Sequence, residues 1–121
     1  MSKKIVLTLA VTTILSVGSA FAQDTQWQKD HPRREQVNQR LDNQNKRINK
    51  EVREGEISRG EAAKLHREDR QIRREERSMA SQNGGHITKQ EQRTLNQQEN
   101  AVNAQRRADI QSNKAGISTG N

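Results

Sequence analysis

A motif that returns after thirty residues constrains this chain more than any other feature. Gly55-Glu56-Ile57-Ser58-Arg59-Gly60-Glu61 precedes Leu65 and Ile72, and Gly85-His86-Ile87-Thr88-Lys89-Gln90-Glu91 precedes Leu95 and Val102. A truncated third copy starts at Ala115-Gly116-Ile117-Ser118. Self-similarity at such a period marks one supersecondary unit used repeatedly. Each copy reads as a helix stop followed by a helix start. Gly55 and Gly85 can adopt the left-handed backbone that ends a helix. Ser58 and Thr88 suit the N-cap, where a hydroxyl accepts from an exposed backbone N–H. Glu61 and Glu91, three residues on, complete capping boxes. Ile57 and Ile87 fall just outside the next helix, where they can pack back onto the hairpin.

The motif therefore predicts an all-α chain of three helices in antiparallel hairpins, at about 33–54, 58–81 and 88–112. Pro32 fits the first helix start, where a missing N–H costs nothing. Val37, Leu41, Ile48 and Val52 mark the first helix, Ala62, Leu65, Ile72 and Met79 the second, and Leu95, Val102 and Ile110 the third. Each set makes one thin stripe, with polar residues (Gln44 or Asn45, Asp69, Gln98) at alternate seam positions. Asp42–Lys46 and Asp69–Arg73 have the i,i+4 spacing of helix ion pairs. Residues 23–32 read as a flexible lead-in and 113–121 as a disordered tail.

The first 22 residues stand apart. Lys3 and Lys4 precede an apolar run from Ile5 to Val17, and Ala20-Phe21-Ala22 gives the Ala-x-Ala that signal peptidase accepts. This is the layout of a secretory signal peptide, with cleavage expected after Ala22. The run is too short to span a bilayer, which needs roughly 20 apolar residues. The expectation is a periplasmic protein with no membrane span after signal cleavage.

Composition then narrows the function. The whole chain is 28% hydrophobic, has one Trp, one Phe and no Tyr or Cys, and carries a formal +7. Without Lys3 and Lys4, twenty basic residues face fifteen acidic ones, a net +5. Absence of Cys excludes disulfides, thiolate metal sites and Cys nucleophiles. So few apolar side chains cannot wall a catalytic cleft, and no apolar pocket is expected to shift a carboxylate. The same scarcity leaves a lone chain with little core to offset conformational entropy, so a homodimer, or further folding on a partner, is expected.

The repeat resembles two families. In the calcium-binding EF-hand loop, Gly, Ile and Glu stand where Gly55, Ile57, Glu61 and Gly85, Ile87, Glu91 fall. The earlier ligand positions fall on Lys50, Val52 and Glu54, then on Ala80, Gln82 and Gly84, which do not supply calcium's oxygens. That likeness is of turn geometry alone. Ile57-Ser58-Arg59-Gly60-Glu61 and Ile87-Thr88-Lys89-Gln90-Glu91 also resemble the Leu-Thr-x-x-Gln motif at helix starts in small periplasmic proteins of the Spy chaperone, envelope-stress and zinc-resistance group. Here Ile replaces Leu and Glu replaces Gln. The resemblance implies a helical, often dimeric cradle that binds unfolded clients or tunes an envelope sensor. A short helical-hairpin module with Gly-x-Ile-Thr before an acidic residue, found at bacterial protein termini, is similar as well.

Candidate sites are few. Arg67, Arg70, Arg74 and Arg77 fall along one side of a helix at 100° per residue, a stripe able to meet phosphates or acidic segments. His31, His66 and His86 are the imidazoles available to a metal, with Asp24 and Asp30 near His31, but none has a second His or Cys at ligand spacing. No metal site or cofactor is therefore assigned. Nucleic acid is not expected as a partner, because stacking aromatics are missing and the chain is exported. No nucleophile, base and orienting residue come together in the sequence, and an enzyme is not expected. The sequence reads as a non-enzymatic periplasmic binding or stress protein, with an ATP-independent chaperone-like role as its most direct form. The alternatives are a metal-responsive or metal-buffering protein, and a structural envelope protein contacting anionic glycolipid.

Overall fold

The computed structural model describes residues 24–116, so residues 1–23, with the expected signal peptide, and residues 117–121, with the end of the truncated third copy, lie outside the described part. Four helices follow in order: α1 (Gln26–Asp30), α2 (Pro32–Arg53), α3 (Arg59–Gln82) and α4 (Lys89–Lys114). The all-α hairpin architecture is as the repeat requires. Partners between α2 and α3 run in opposite directions: Arg34 pairs with Glu76, Asp42 with Arg73, and Asn45 and Asn49 with His66. Partners between α2 and α4 run the same way: Gln36 with Gln92, Arg40 with Asn100, Glu51 with Arg106. The three long helices thus form an up-down-up bundle in which every pair is in contact.

The helix starts are set by the capping chemistry of the motif. Ser58 accepts from the Glu61 N–H at 3.1 Å, while the Glu61 carboxylate accepts from the Ser58 N–H at 2.8 Å. Thr88 and Glu91 repeat the same two bonds at the same two distances. Each box satisfies two backbone donors that a helix N-terminus otherwise leaves unpaired. Ser58→Ala is expected to lower stability by about 1 kcal/mol. That would be read as a fall of about 4–8 °C in Tm for a domain of this size; a Tm unchanged from wild type would remove the box from the account of this helix start.

The stops differ between the two turns. After α2, Gly55 at φ 73° donates to Val52 C=O, and Glu56 donates to Glu51 C=O at 2.9 Å. This crossed pair is the Schellman arrangement, with glycine at the left-handed position. After α3 that position belongs to Gly84, not Gly85, because the second turn is one residue longer. Gly85 follows it and donates to Ala80 C=O at 2.8 Å. Ile57 and Ile87 then turn inward, 3% and 2% exposed.

Both ends of the bundle depart from the expected loose segments. Residues 26–30 are helical because Thr25 and Gln28 form a third capping box, a signal without apolar periodicity behind it. At the other end α4 runs on to Lys114, and Asn113 donates to Glu56 C=O at 3.0 Å and to Glu61 Oε1 at 2.9 Å. Asn113 thereby ties the last turn of α4 to the first hairpin. Burial raises the Glu61 carboxyl, but the hydrogen bonds from Asn113 and Ser58 outweigh it and hold it below its ordinary value.

The core is one cluster drawn from all three long helices and both turns: Val37, Leu41, Ile48, Ile57, Leu65, Ile72, Ile87, Leu95 and Val102, with Ala62 and Ala80. Val52, Met79 and Ile110 pack at its edge. The seam is not purely apolar. Gln44 and Glu51 on α2, Asp69 and Glu76 on α3, and Glu99, Arg106 and Asp109 on α4 are buried within it. In α4 the seam runs Leu95, Glu99, Val102, Arg106, Asp109, at the alternating four- and three-residue steps of a coiled coil. Glu99, not the expected Gln98, takes the seam position, and Gln98 stands half-buried beside it.

Candidate functional site

The Arg stripe is where the sequence places it. Arg67, Arg70, Arg74 and Arg77 are all exposed, and none forms an ion pair among the described residues. Their neighbours explain why. Asp42, expected to pair along its own helix with Lys46, reaches instead across to Arg73 at 3.0 Å. Asp69, expected to pair with Arg73, points into the core. Arg73 is therefore consumed between helices while the four stripe residues stay open to solvent. At the far end of the same α2–α3 side, Arg53 and Arg59 line a shallow groove with His66. From residue 59 to residue 77 this basic face extends about 27 Å at the helical rise. The opposite flank of α3 carries Glu68 and Glu75, set against the uncharged Gln98 and Gln105 of α4. Helix α3 is consequently polarised, basic on its flank towards α2 and acidic on its flank towards α4.

The three imidazoles do not converge. His66 lies between Asn45 Oδ1 and Asn49 Oδ1, 3.0 Å from each. Burial, reinforced by the nearby Arg70, lowers its pKa and favours the neutral ring. A neutral ring meets both neighbours if one amide presents its NH₂ group. His31 and His86 do come together, but as stacked rings with centroids 4.5 Å apart and planes 17° apart. Ring nitrogens bind metals in the ring plane, so two rings stacked face to face do not present their lone pairs to one ion. Trp27 stacks on the other face of His31 at 4.6 Å, and Arg34 sits 5.0 Å from the Trp27 centroid. His31 Nδ1 bonds Trp27 C=O at 2.8 Å. This Trp27–His31–His86 stack fastens α1 to the longer α3–α4 turn and belongs to the fold. Among the described residues no group of three or more His, Cys, Asp or Glu could hold a metal. Glu61 and Glu91 are occupied as caps, as are Ser58 and Thr88.

The polar seam holds what the sequence did not disclose. The helix register places Gln44, Asp69 and Glu99 at one level of the core. Asp69 is 2% exposed and Glu99 is fully buried, yet no carboxylate oxygen of either has a hydrogen-bond donor. Arg40 Nε lies 3.1 Å from Glu99 Oε2, an ion pair without hydrogen-bond alignment. Burial pushes Asp69 up to about 7, with Glu68 adding to the rise and Arg73 opposing it. Burial also pushes Glu99 to about 7, opposed by Arg40 and reinforced by Asp69. The expectation concerned apolar pockets; here the bundle interior desolvates both carboxylates without one. One turn pair away, Glu51 and Arg106 are paired and both buried. The steps 95, 99, 102, 106, 109 in α4 were the signal that could have placed Glu99 and Arg106 inside. No helix among the described residues is long and apolar enough to cross a membrane.

Compared with family models, with curated proteins and with solved structures, the chain gives no match.

Proposed function

We propose that this is an exported, non-enzymatic binding protein of the cell envelope that engages an anionic partner through the basic α2–α3 face. The observation that carries this reading is the row Arg67, Arg70, Arg74 and Arg77, exposed and unpaired although four acidic residues, Glu68, Asp69, Glu75 and Glu76, fall between its ends. Guanidinium groups recognise phosphate and carboxylate in a planar, bidentate manner, and a rigid helix holds the row at fixed spacing. Trp27 is the only exposed large hydrophobic among the described residues, so the surface offers a partner charge far more than apolar contact. Anionic glycolipid fits that chemistry, and so does an acidic unfolded segment, which is the form a chaperone-like role takes on this surface.

Cosedimentation with vesicles tests the reading. Binding to vesicles rich in anionic lipid is expected to be strong at low salt and to fade at high salt. Each basic residue near an anionic surface contributes about 1 kcal/mol, so Arg70→Gln with Arg74→Gln is expected to weaken binding by about 30-fold. Equal binding to zwitterionic vesicles, or insensitivity to both salt and the substitutions, would refute a lipid partner. Protection of an acidic denatured client against aggregation without ATP, lost in the same double variant, would move the partner from lipid to protein.

A further inference from the structure

The bundle buries two carboxylates at one level of its core and gives them too little positive charge. The groups that face this level are few. From α2 come Arg40, ion-paired to Glu99, and the uncharged Gln44, whose Nε2 has no acceptor. On α3, Glu68 and Arg73 flank Asp69, and Arg73 is engaged with Asp42 of α2. His66, one turn before Asp69, is turned to Asn45 and Asn49. From α4 come Glu99 itself and the neutral Asn96 and Gln98, whose side-chain oxygens are also unpartnered. With both carboxylates ionised, the level carries two negative charges and one positive charge, and its four carboxylate oxygens lack any hydrogen-bond donor. One proton cures both defects. It leaves a single carboxylate for Arg40 and supplies an O–H donor among a group of acceptors.

We propose that Asp69 and Glu99 share a proton in the folded core, so that the bundle is a proton-dependent element, firmest in mild acid and loosened as the pH rises through neutral. The sign follows from linkage. A carboxyl that holds its proton more tightly folded than unfolded contributes most below its unfolded pKa, and that contribution is lost as pH rises towards the folded one. Burial pushes either carboxyl up to about 7 in the fold, against about 4 in an unfolded chain, and the one proton the pair shares is released in that range. The window is therefore roughly pH 4 to 7, and stability falls across it. Glu51, which burial also raises, adds to the same slope. His66, whose pKa is lowered, opposes it.

Thermal unfolding of residues 23–121 between about pH 5.5 and 8.5 reads the effect. Wild-type Tm is expected to fall by about 5 °C or more across that range. The Asp69→Asn, Glu99→Gln double variant removes both titrations with little change in shape. Its slope should shrink to the small remainder set by Glu51 and His66, and its Tm at the alkaline end should exceed that of wild type. A wild-type Tm that is flat or rising, or a double variant that keeps most of the slope, overturns the proposal. Carboxyl-carbon NMR titration of the wild type decides the matter without any variant. A single step near 7 seen in common at the Asp69 and Glu99 carbons, with the pair's other proton leaving in the ordinary carboxylate range, supports the shared proton; inflections near 4 alone, or uptake of a separate proton by each carboxyl near 7, refute it.

Discussion

Leu65→Ala is expected to lower the unfolding free energy by about 2–5 kcal/mol, the cost of removing a buried isobutyl group and leaving its cavity. Leu65 has no exposed surface, and among the described residues it belongs to a core of eleven apolar residues, two of them alanines. On one side the next level is polar, with Asp69 one turn away, which leaves fewer apolar neighbours to relax into the space. Small domains hold a total of about 5–15 kcal/mol, and one with so thin a core belongs near the lower bound. The substitution should therefore remove a large share of the total. Urea unfolding at neutral pH checks it: the midpoint should shift strongly downward with little change in slope. A loss below about 1 kcal/mol would mean that the site collapses freely and that the seam is not packed as described.

Arg106→Met should be nearly as damaging, for a different reason. The Arg106 guanidinium bonds Glu51 and, through Nε and Nη2, Asn103 Oδ1 at 3.1 and 2.8 Å. Arg106 and Glu51 are both buried, 5% and 7% exposed. Removing one member of a buried pair leaves the other uncompensated, a loss of about 3–5 kcal/mol, whereas replacing both by apolar residues of similar volume is often neutral or stabilising. Burial already pushes the Glu51 carboxyl upward against the pull of Arg106. Without the guanidinium it would take up a proton more readily, so the single variant should be less damaged in mild acid than at high pH. Denaturant unfolding of Arg106→Met and of Arg106→Met with Glu51→Leu, each at two pH values, measures all of this. If the double variant were as unstable as the single one, the cost would lie in lost packing and not in an orphaned charge.

The fold was legible because its punctuation is local. A capping box needs two side chains three residues apart, and a helix stop needs a glycine, so the starts at Ser58 and Thr88 and the stop at Gly55 can be read without any tertiary information. The stop at Gly84 was not legible in the same way. Two adjacent glycines, Gly84 and Gly85, both take a left-handed φ at this stop, and the repeat period pointed to the second of them because the second turn carries an extra residue. The exposed Arg row was legible from helical angle alone. The interior polar residues were not: Gln98 and Glu99 differ by one residue and are equally hydrophilic, and only the four-and-three stepping through Arg106 to Asp109 separates them. The pairing of Asp42 with Arg73 across helices defeated the i,i+4 rule, which weighs only a few tenths of a kcal/mol and yields readily to tertiary contact. The Trp27–His31–His86 stack depends on residues more than fifty positions apart, and no periodicity links them.

The polar seam also bears on how the helices find their alignment. A stripe of leucines alone would let α4 slide along α2 by seven residues and regain equivalent contacts. In this bundle such a slide would carry Glu99 to the place of Arg106, opposite Glu51, and set two buried carboxylates against each other with no cation between them. The charged residues inside thus serve as an address for each helix, excluding the shifted alignments that a uniform apolar stripe would permit. What they cost the core in cohesion is offset by a bundle that closes in one register.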